Sequence, residues 1–119
     1  MRSPKQGDII YIDAEPHAGK EFGGHNPEQK YTRRPMIVLS NTDYNHATKM
    51  VIGMLVTHSN FGDPAWYEKF ADFNCGVEGN IVLWQLPTYD ALARHAEIVG
   101  QVPDKLLKRL KQAAKDIFE

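Results

Sequence analysis

Two adjacent arginines, Arg33 and Arg34, stand directly before Pro35 and the apolar run Met36-Ile37-Val38-Leu39. Arginine is rarely buried unless paired, so a pair at the mouth of a core strand calls for a reason. A guanidinium is planar, always charged and able to hold two phosphate oxygens at once. Mounted on a rigid strand, it suits phosphate binding; an ordinary solvated charge at a strand mouth is the plainer alternative. A second group of polar residues, Thr57, His58, Ser59 and Asn60, closes the apolar run Val51–Val56. A threonine hydroxyl donates to phosphate oxygens, although a β-branched residue at a strand end is also common. An imidazole exchanges protons near neutral pH, which makes His17, His25 and His58 candidates for acid–base work, each weighed against a solvated loop histidine. Other chemistries find less support. Five histidines and the single Cys75 show no zinc-ligand spacing. No phosphate-cradling glycine motif leads from a strand into a helix, and Cys75 has no evident base beside it and reads as inert.

These residues need elements to hold them. Ile9, Ile10, Tyr11 and Ile12 precede the turn signal Asp-Ala-Glu-Pro and predict a strand over 8–13. Residues 35–41 read as a strand buried on both faces, with Pro35 placed before the ladder begins. Further strands are expected over 51–59, 67–73, 81–86 and 97–102. Residues 42–50 read as a connection with a helical turn, and 87–96 as a short strand or a helical turn. Residues 14–33 form a polar, glycine-bearing stretch, and a loop of about 20 residues inside a compact domain is usually functional or mobile. Near the end, Leu106, Leu107, Leu110, Ala113, Ala114, Ile117 and Phe118 follow the spacing of an amphipathic helix, with Pro103 and Asp104 at its start. Short strands joined by turns and followed by one helix imply a mainly antiparallel, strongly bent sheet or small barrel.

Composition narrows the partners. A chain of 119 residues suits one domain over 1–119. A net charge of −1 lacks the overall basic footprint of a nucleic-acid binder, so any such site must be local. One cysteine fits a reducing compartment. No apolar window is long enough for a membrane helix, and the opening residues lack the apolar core of a secretory signal. The expected setting is cytoplasmic, with no membrane partner.

Several stretches, taken in order, resemble the MazF/PemK toxins of toxin–antitoxin systems. "GDIIYIDAEPHAGKE" (7–21) is similar to their Gly-Asp/Glu opening, apolar strand, Asp-Pro, Gly and Glu. "RRPMIVLSN" (33–41) resembles their Arg-Pro and apolar strand ending in Leu-Ser, and "VTHSNFGD" (56–63) their third-strand end. "GNIVLWQLPTYD" (79–90) and the helix after "GQVP" complete a series covering nearly the whole chain. The resemblance implies an SH3-like or CcdB-like small barrel of five to seven mostly antiparallel strands with a C-terminal helix. It further implies a homodimeric, metal-independent endoribonuclease that needs no cofactor. Such an enzyme cuts single-stranded RNA at short sequences to a 2′,3′-cyclic phosphate and a 5′-hydroxyl, and is covered by the acidic segment of a cognate antitoxin.

Carried over residue by residue, the resemblance makes Arg34 the group that stabilises the phosphorane and Thr57 the group that holds the phosphate. Glu21, His58 and His25 are the proton-transfer candidates, with Glu21 alternatively orienting an arginine. Arg33, Lys20, His17, Ser59, Asn60, Trp66 and Gln85 are expected to bind substrate, Trp66 by stacking on a base from an exposed turn. Two features depart from the family. The loop from Glu21 to Arg34 is several residues longer than usual, and Trp84 occupies the position where some members carry an acid before the Gln. If that acid is their proton-transfer group, His25, His58 or Glu21 must take over here; the alternative is weak or absent nuclease activity. The alternative function is a non-enzymatic toxin on the same barrel that binds a protein target such as DNA gyrase; a plain SH3-like interaction module is a third.

Overall fold

Strand β3 (Met50–Thr57) organises the sheet, because it changes partner along its length. Met50–Ile52 pair with β6 (Thr88–Asp90), Gly53–Leu55 with β2 (Arg33–Val38), and Val56–Thr57 with β5 (Val77–Val82), all antiparallel. The full order is β4 (Tyr67–Asp72), β5, β3, β2, β1 (Asp8–Asp13), β7 (Glu97–Gln101), with β6 off this path. A strand handed from one partner to another must curl, and the result is a half-barrel. The computed structural model describes residues 2–23, 33–59 and 62–119. A seven-residue helix α1 (Thr42–Thr48) and the longer α2 (Asp104–Asp116) complete the chain.

Alternation along the strands feeds two cores. Ile9, Ile37, Met54 and Val56 belong to one apolar cluster. Their neighbours Ile10, Met36, Leu55 and Val38 belong to another. Successive side chains point to opposite faces, so the continuous apolar runs reflect a sheet covered on both sides. Leu106 and Leu110 of α2 close the first cluster; burying each contributes about 1.5–3 kcal/mol.

Several boundaries differ from expectation, each for a local reason. β2 starts at Arg33, with Pro35 third rather than first. Pro35 lies opposite Tyr11 of β1, whereas pairing with β3 begins only at Met36, so its missing N–H breaks no bond on that side. β2 stops at Val38 because the N–H groups of Leu39 and Ser40 both turn to Ile52 O. β3 stops at Thr57, two residues early, where the Thr57 hydroxyl accepts from Ser59 N–H at 3.1 Å and turns the chain. β5 begins at Val77, because Asp72 Oδ1 accepts from the N–H groups of Asn74 and Cys75 and tightens the hairpin until Asp72 pairs with Val77. Residues 83–86 then leave the ladder. α2 ends at Asp116, leaving Phe118 80% exposed rather than on the buried face.

Candidate active site

Arg34 belongs to the β2 row that continues through Met36 and Val38 into the second cluster. Thr57 ends the β3 row that contains Val51 and Leu55 of the same cluster. Met36 pairs with Leu55. Two steps outward on each strand, past the last paired residues, bring Arg34 opposite Thr57. Both are buried, Arg34 at 8% exposure and Thr57 at 1%. Gly79 of β5 allows this packing: at φ +147°, it approaches Thr57 so closely that a Cβ would lie 2.7 Å from the Thr57 carbonyl oxygen.

Arg34 and Thr57 line one cavity of about 560 Å³, together with Ser59, His17, Lys20 and Glu21. Aromatic walls come from Phe22, Tyr67 and Trp84. Phe22 stands edge-on to both others, at ring-centroid distances of 6.4 Å to Tyr67 and 5.8 Å to Trp84. Among the described residues, the buried Tyr67 hydroxyl has no hydrogen-bond partner. Arg34 Nε donates to Gly23 O at 2.7 Å. Burial pushes the Arg34 guanidinium down from its ordinary value, and the negative charge of Glu15 pulls it back up. Arginine nevertheless stays charged, so the cavity holds a desolvated cation whose field acts in a low-dielectric setting.

The described part of the first loop is a built wall. Arg94 Nη1 donates to Asp13 O and Glu15 O. Gln85 accepts from Phe22 N–H at 2.9 Å and donates to Lys20 O at 2.7 Å. Glu21 caps its own turn, its carboxylate accepting from Ala18 N–H at 2.9 Å. His17 Nδ1 bonds to the Glu15 carboxylate, 2.7 Å from Oε1 and in contact with Oε2. This loop separates the first cavity from a second of about 590 Å³, bounded by Gln85, Tyr89 and Arg94, and His17, Lys20, Glu21, Phe22 and Trp84 face both.

The structure therefore gathers Arg34, Thr57, Ser59, Glu21, Lys20 and His17 around one space, and places Gln85 behind the loop as its tether. His58 lies elsewhere. Just past the end of β3, it lines a separate hollow with Lys69 and Phe70, and its Nε2 bonds to Glu78 O. Arg33 also faces away: its guanidinium donates to Asp13 Oδ1, Tyr11 O and His95 O, and it does not line the Arg34 cavity. Trp66, 51% exposed, borders a shallow neighbouring groove with Trp84 and Asp63. His25 and Asn60 lie outside the described residues. Sequence reasoning missed Glu15, Phe22, Gly23, Tyr67 and Arg94. A Glu-Pro-His run was visible in the sequence, but nothing marked Glu15 as the partner of His17. Among the described residues, no three His, Cys, Asp or Glu side chains form a group that would hold a metal ion, and no helix is long and apolar enough to cross a membrane.

Comparisons with known proteins agree with this architecture. The family model described as PemK-like, MazF-like toxin of type II toxin-antitoxin system matches residues 5–118. The endoribonuclease toxin MazF of Escherichia coli K12 is 36% identical over 61 residues, covering 51% of this chain and 48% of that protein. The match thus spans about half the length of that relative. MazF (Form-I) from Deinococcus radiodurans superposes with a TM-score of 0.80 at 26% identity, covering 98% of this chain and 96% of that one. The MazE–MazF complex (Form-II) from the same organism gives 0.74, again at 26% identity, with the same coverage.

Proposed function

The chain belongs to the PemK-like, MazF-like toxins of type II toxin–antitoxin systems, and from that membership we propose that it is an endoribonuclease cutting single-stranded RNA at short sequences. The observation that carries the reading is the meeting of Arg34 and Thr57 where β2 and β3 have ceased to pair with each other, both buried and both lining one cavity. Without a metal, such cleavage uses the RNA's own 2′-hydroxyl as nucleophile. The 2′-oxygen bonds to phosphorus, the bond to the 5′-oxygen breaks, and the products are a 2′,3′-cyclic phosphate and a 5′-hydroxyl. Charge builds on the non-bridging oxygens, and preorganised donors aimed at developing charge are usually the largest catalytic term. Arg34 supplies a fixed cation and Thr57 a hydroxyl beside it. The aromatic wall of Phe22, Tyr67 and Trp84 gives a flanking base an apolar surface, and base–aromatic stacking is worth about 1–3 kcal/mol per base.

The same reading makes the chain a homodimer in the cytoplasm, restrained by an acidic antitoxin whose extended segment fills the cavity. MazE–MazF complexes among the structural relatives support that partnership. The test is direct: pure protein, free of antitoxin, is incubated with long single-stranded RNA in EDTA and the new ends are sequenced. Cuts at a recurring short sequence, bearing cyclic phosphate and 5′-hydroxyl ends and absent with Arg34→Ala, are expected. Intact RNA overturns the assignment, and growth arrest that survives Arg34→Ala transfers it to a non-enzymatic toxin that binds a protein.

A further inference from the structure

Beside Arg34 lies a carboxylate–imidazole pair, Glu15 and His17; the residue-by-residue carry-over gave His17 only a substrate-binding role and gave Glu15 none. Glu15 is largely buried, its side chain 10% exposed, and the His17 side chain is 29% exposed. Their contact is closed by backbone: a Cβ on Gly23 would sit 2.5 Å from both Glu15 Oε2 and His17 Nδ1. The same Gly23 receives the Arg34 Nε–H on its carbonyl, and the Glu15 charge acts on the Arg34 guanidinium. Four groups from two segments thus meet at one point, and His17, Arg34 and Thr57 line one cavity.

A carboxylate can only accept, so Nδ1 must carry the hydrogen in this pair. In a neutral imidazole, that leaves Nε2 as the acceptor. No described residue bonds to His17 Nε2. A base whose far nitrogen is held by a carboxylate has its tautomer and orientation fixed. We propose that His17 is the general base of the cleavage reaction and that Glu15 is its positioning residue. This rests on the endoribonuclease reading above. Nε2 takes the 2′-hydroxyl proton as the 2′-oxygen bonds to phosphorus. The bond from phosphorus to the 5′-oxygen breaks, its electron pair leaves with that oxygen, and a proton from solvent water completes the 5′-hydroxyl. The imidazolium returns its proton to solvent, so no net proton is gained or lost. Gly23 is the hinge of this arrangement, because it seats the dyad and anchors the phosphate-binding arginine.

The experiment uses the full chain and a short oligoribonucleotide carrying the cleavage site mapped for the wild type. His17→Ala is expected to lower kcat by about 10²–10³-fold, with KM within a few-fold, and added imidazole should restore part of the rate in proportion to its concentration. Glu15→Gln should lower kcat less, and imidazole should not rescue it. Melting curves confirm that both variants are folded; should His17→Ala fail to fold, His17→Gln is measured in the same way. A His17 variant that is folded and cuts as fast as the wild type overturns the assignment. So does a variant whose loss imidazole does not relieve. A third overturning result is a rate deficit removed by a 5′-thio leaving group, which makes His17 the acid. Wild-type protein that cuts no RNA at all defeats the endoribonuclease reading instead, and so the two failures are distinguishable.

Discussion

On one face of the sheet, Ile9, Ile37, Met54 and Val56 run beneath α2, where Leu106 and Leu110 complete an apolar layer. On the other face, the rows Val38–Met36–Arg34 and Val51–Leu55–Thr57 begin apolar and finish polar. The strands are the same, and their inward residues differ only in the last step of each row. One end of the sheet is sealed by a helix, and the other opens into a cavity whose two polar strand residues are anchored by the core behind them. A side chain that ends a packed row has little freedom to drift, and tight placement is what a transition-state donor needs. The contrast predicts that substitutions on the open face change chemistry and those on the sealed face change stability.

The largest expected effect is on the open face. Arg34→Ala removes the buried cation and should reduce single-turnover RNA cleavage by about a thousandfold, the scale of losing one preorganised donor. A melting curve should show that the variant is still folded, with the bond to Gly23 O lost. Arg34→Lys should recover little, because a point charge cannot reproduce the planar fork. An Arg34→Ala protein that is folded and fully active would remove the basis of the contrast. On the sealed face, Leu110→Ala should cost about 3 kcal/mol in urea unfolding, since Leu110 is wholly buried. Cleavage per folded molecule should stay within about twofold of the wild type. A loss of specific activity would show that α2 also shapes the cavity.

The sealed face was readable from the sequence, because burial leaves a periodic trace. The strand over 8–13 and the terminal helix were marked by Ile9-Ile10-Tyr11-Ile12 and by the Leu106–Leu110 spacing. β5 was harder. Its first half, Val77-Glu78-Gly79-Asn80, has little apolar content, and the apolar run that follows drew the expected strand past the point where the chain turns away. At the site, Arg34 and Thr57 were legible through the ordered motif series. What remained hidden depends on how the first loop folds back. Gly23 acts through a carbonyl and a missing side chain, Arg94 through bonds to backbone oxygens, and Glu15 through its contact with His17. None of these leaves a mark in residue spacing.

A smaller effect is expected at Thr57, and it separates chemistry from packing at a single residue. Thr57→Val keeps the branched shape but removes the hydroxyl that accepts from Ser59 N–H. A hydrogen bond to a charged group is worth about 1.5–3 kcal/mol, so cleavage should fall by about 10–100-fold while urea unfolding moves by about 1 kcal/mol. An unchanged rate would limit Thr57 to turning the chain at the end of β3.

The smallest effect should come from the other arginine of the pair. Arg33 holds Asp13, Tyr11 O and His95 O, and Asp13 in turn bonds to His95 Nδ1, so it ties β1, β2 and the turn before β7 into one corner. Its side chain is 30% exposed, and partly solvated ion pairs contribute little, about 0–1 kcal/mol. Arg33→Ala should therefore lower the unfolding free energy by about 1 kcal/mol and leave cleavage within a few-fold. Two neighbours of identical chemistry would then differ by orders of magnitude in activity, for a geometric reason: consecutive strand residues face opposite ways. If Arg33→Ala instead loses cleavage as severely as Arg34→Ala, Arg33 also reaches the substrate, and the corner it ties together belongs to the RNA path.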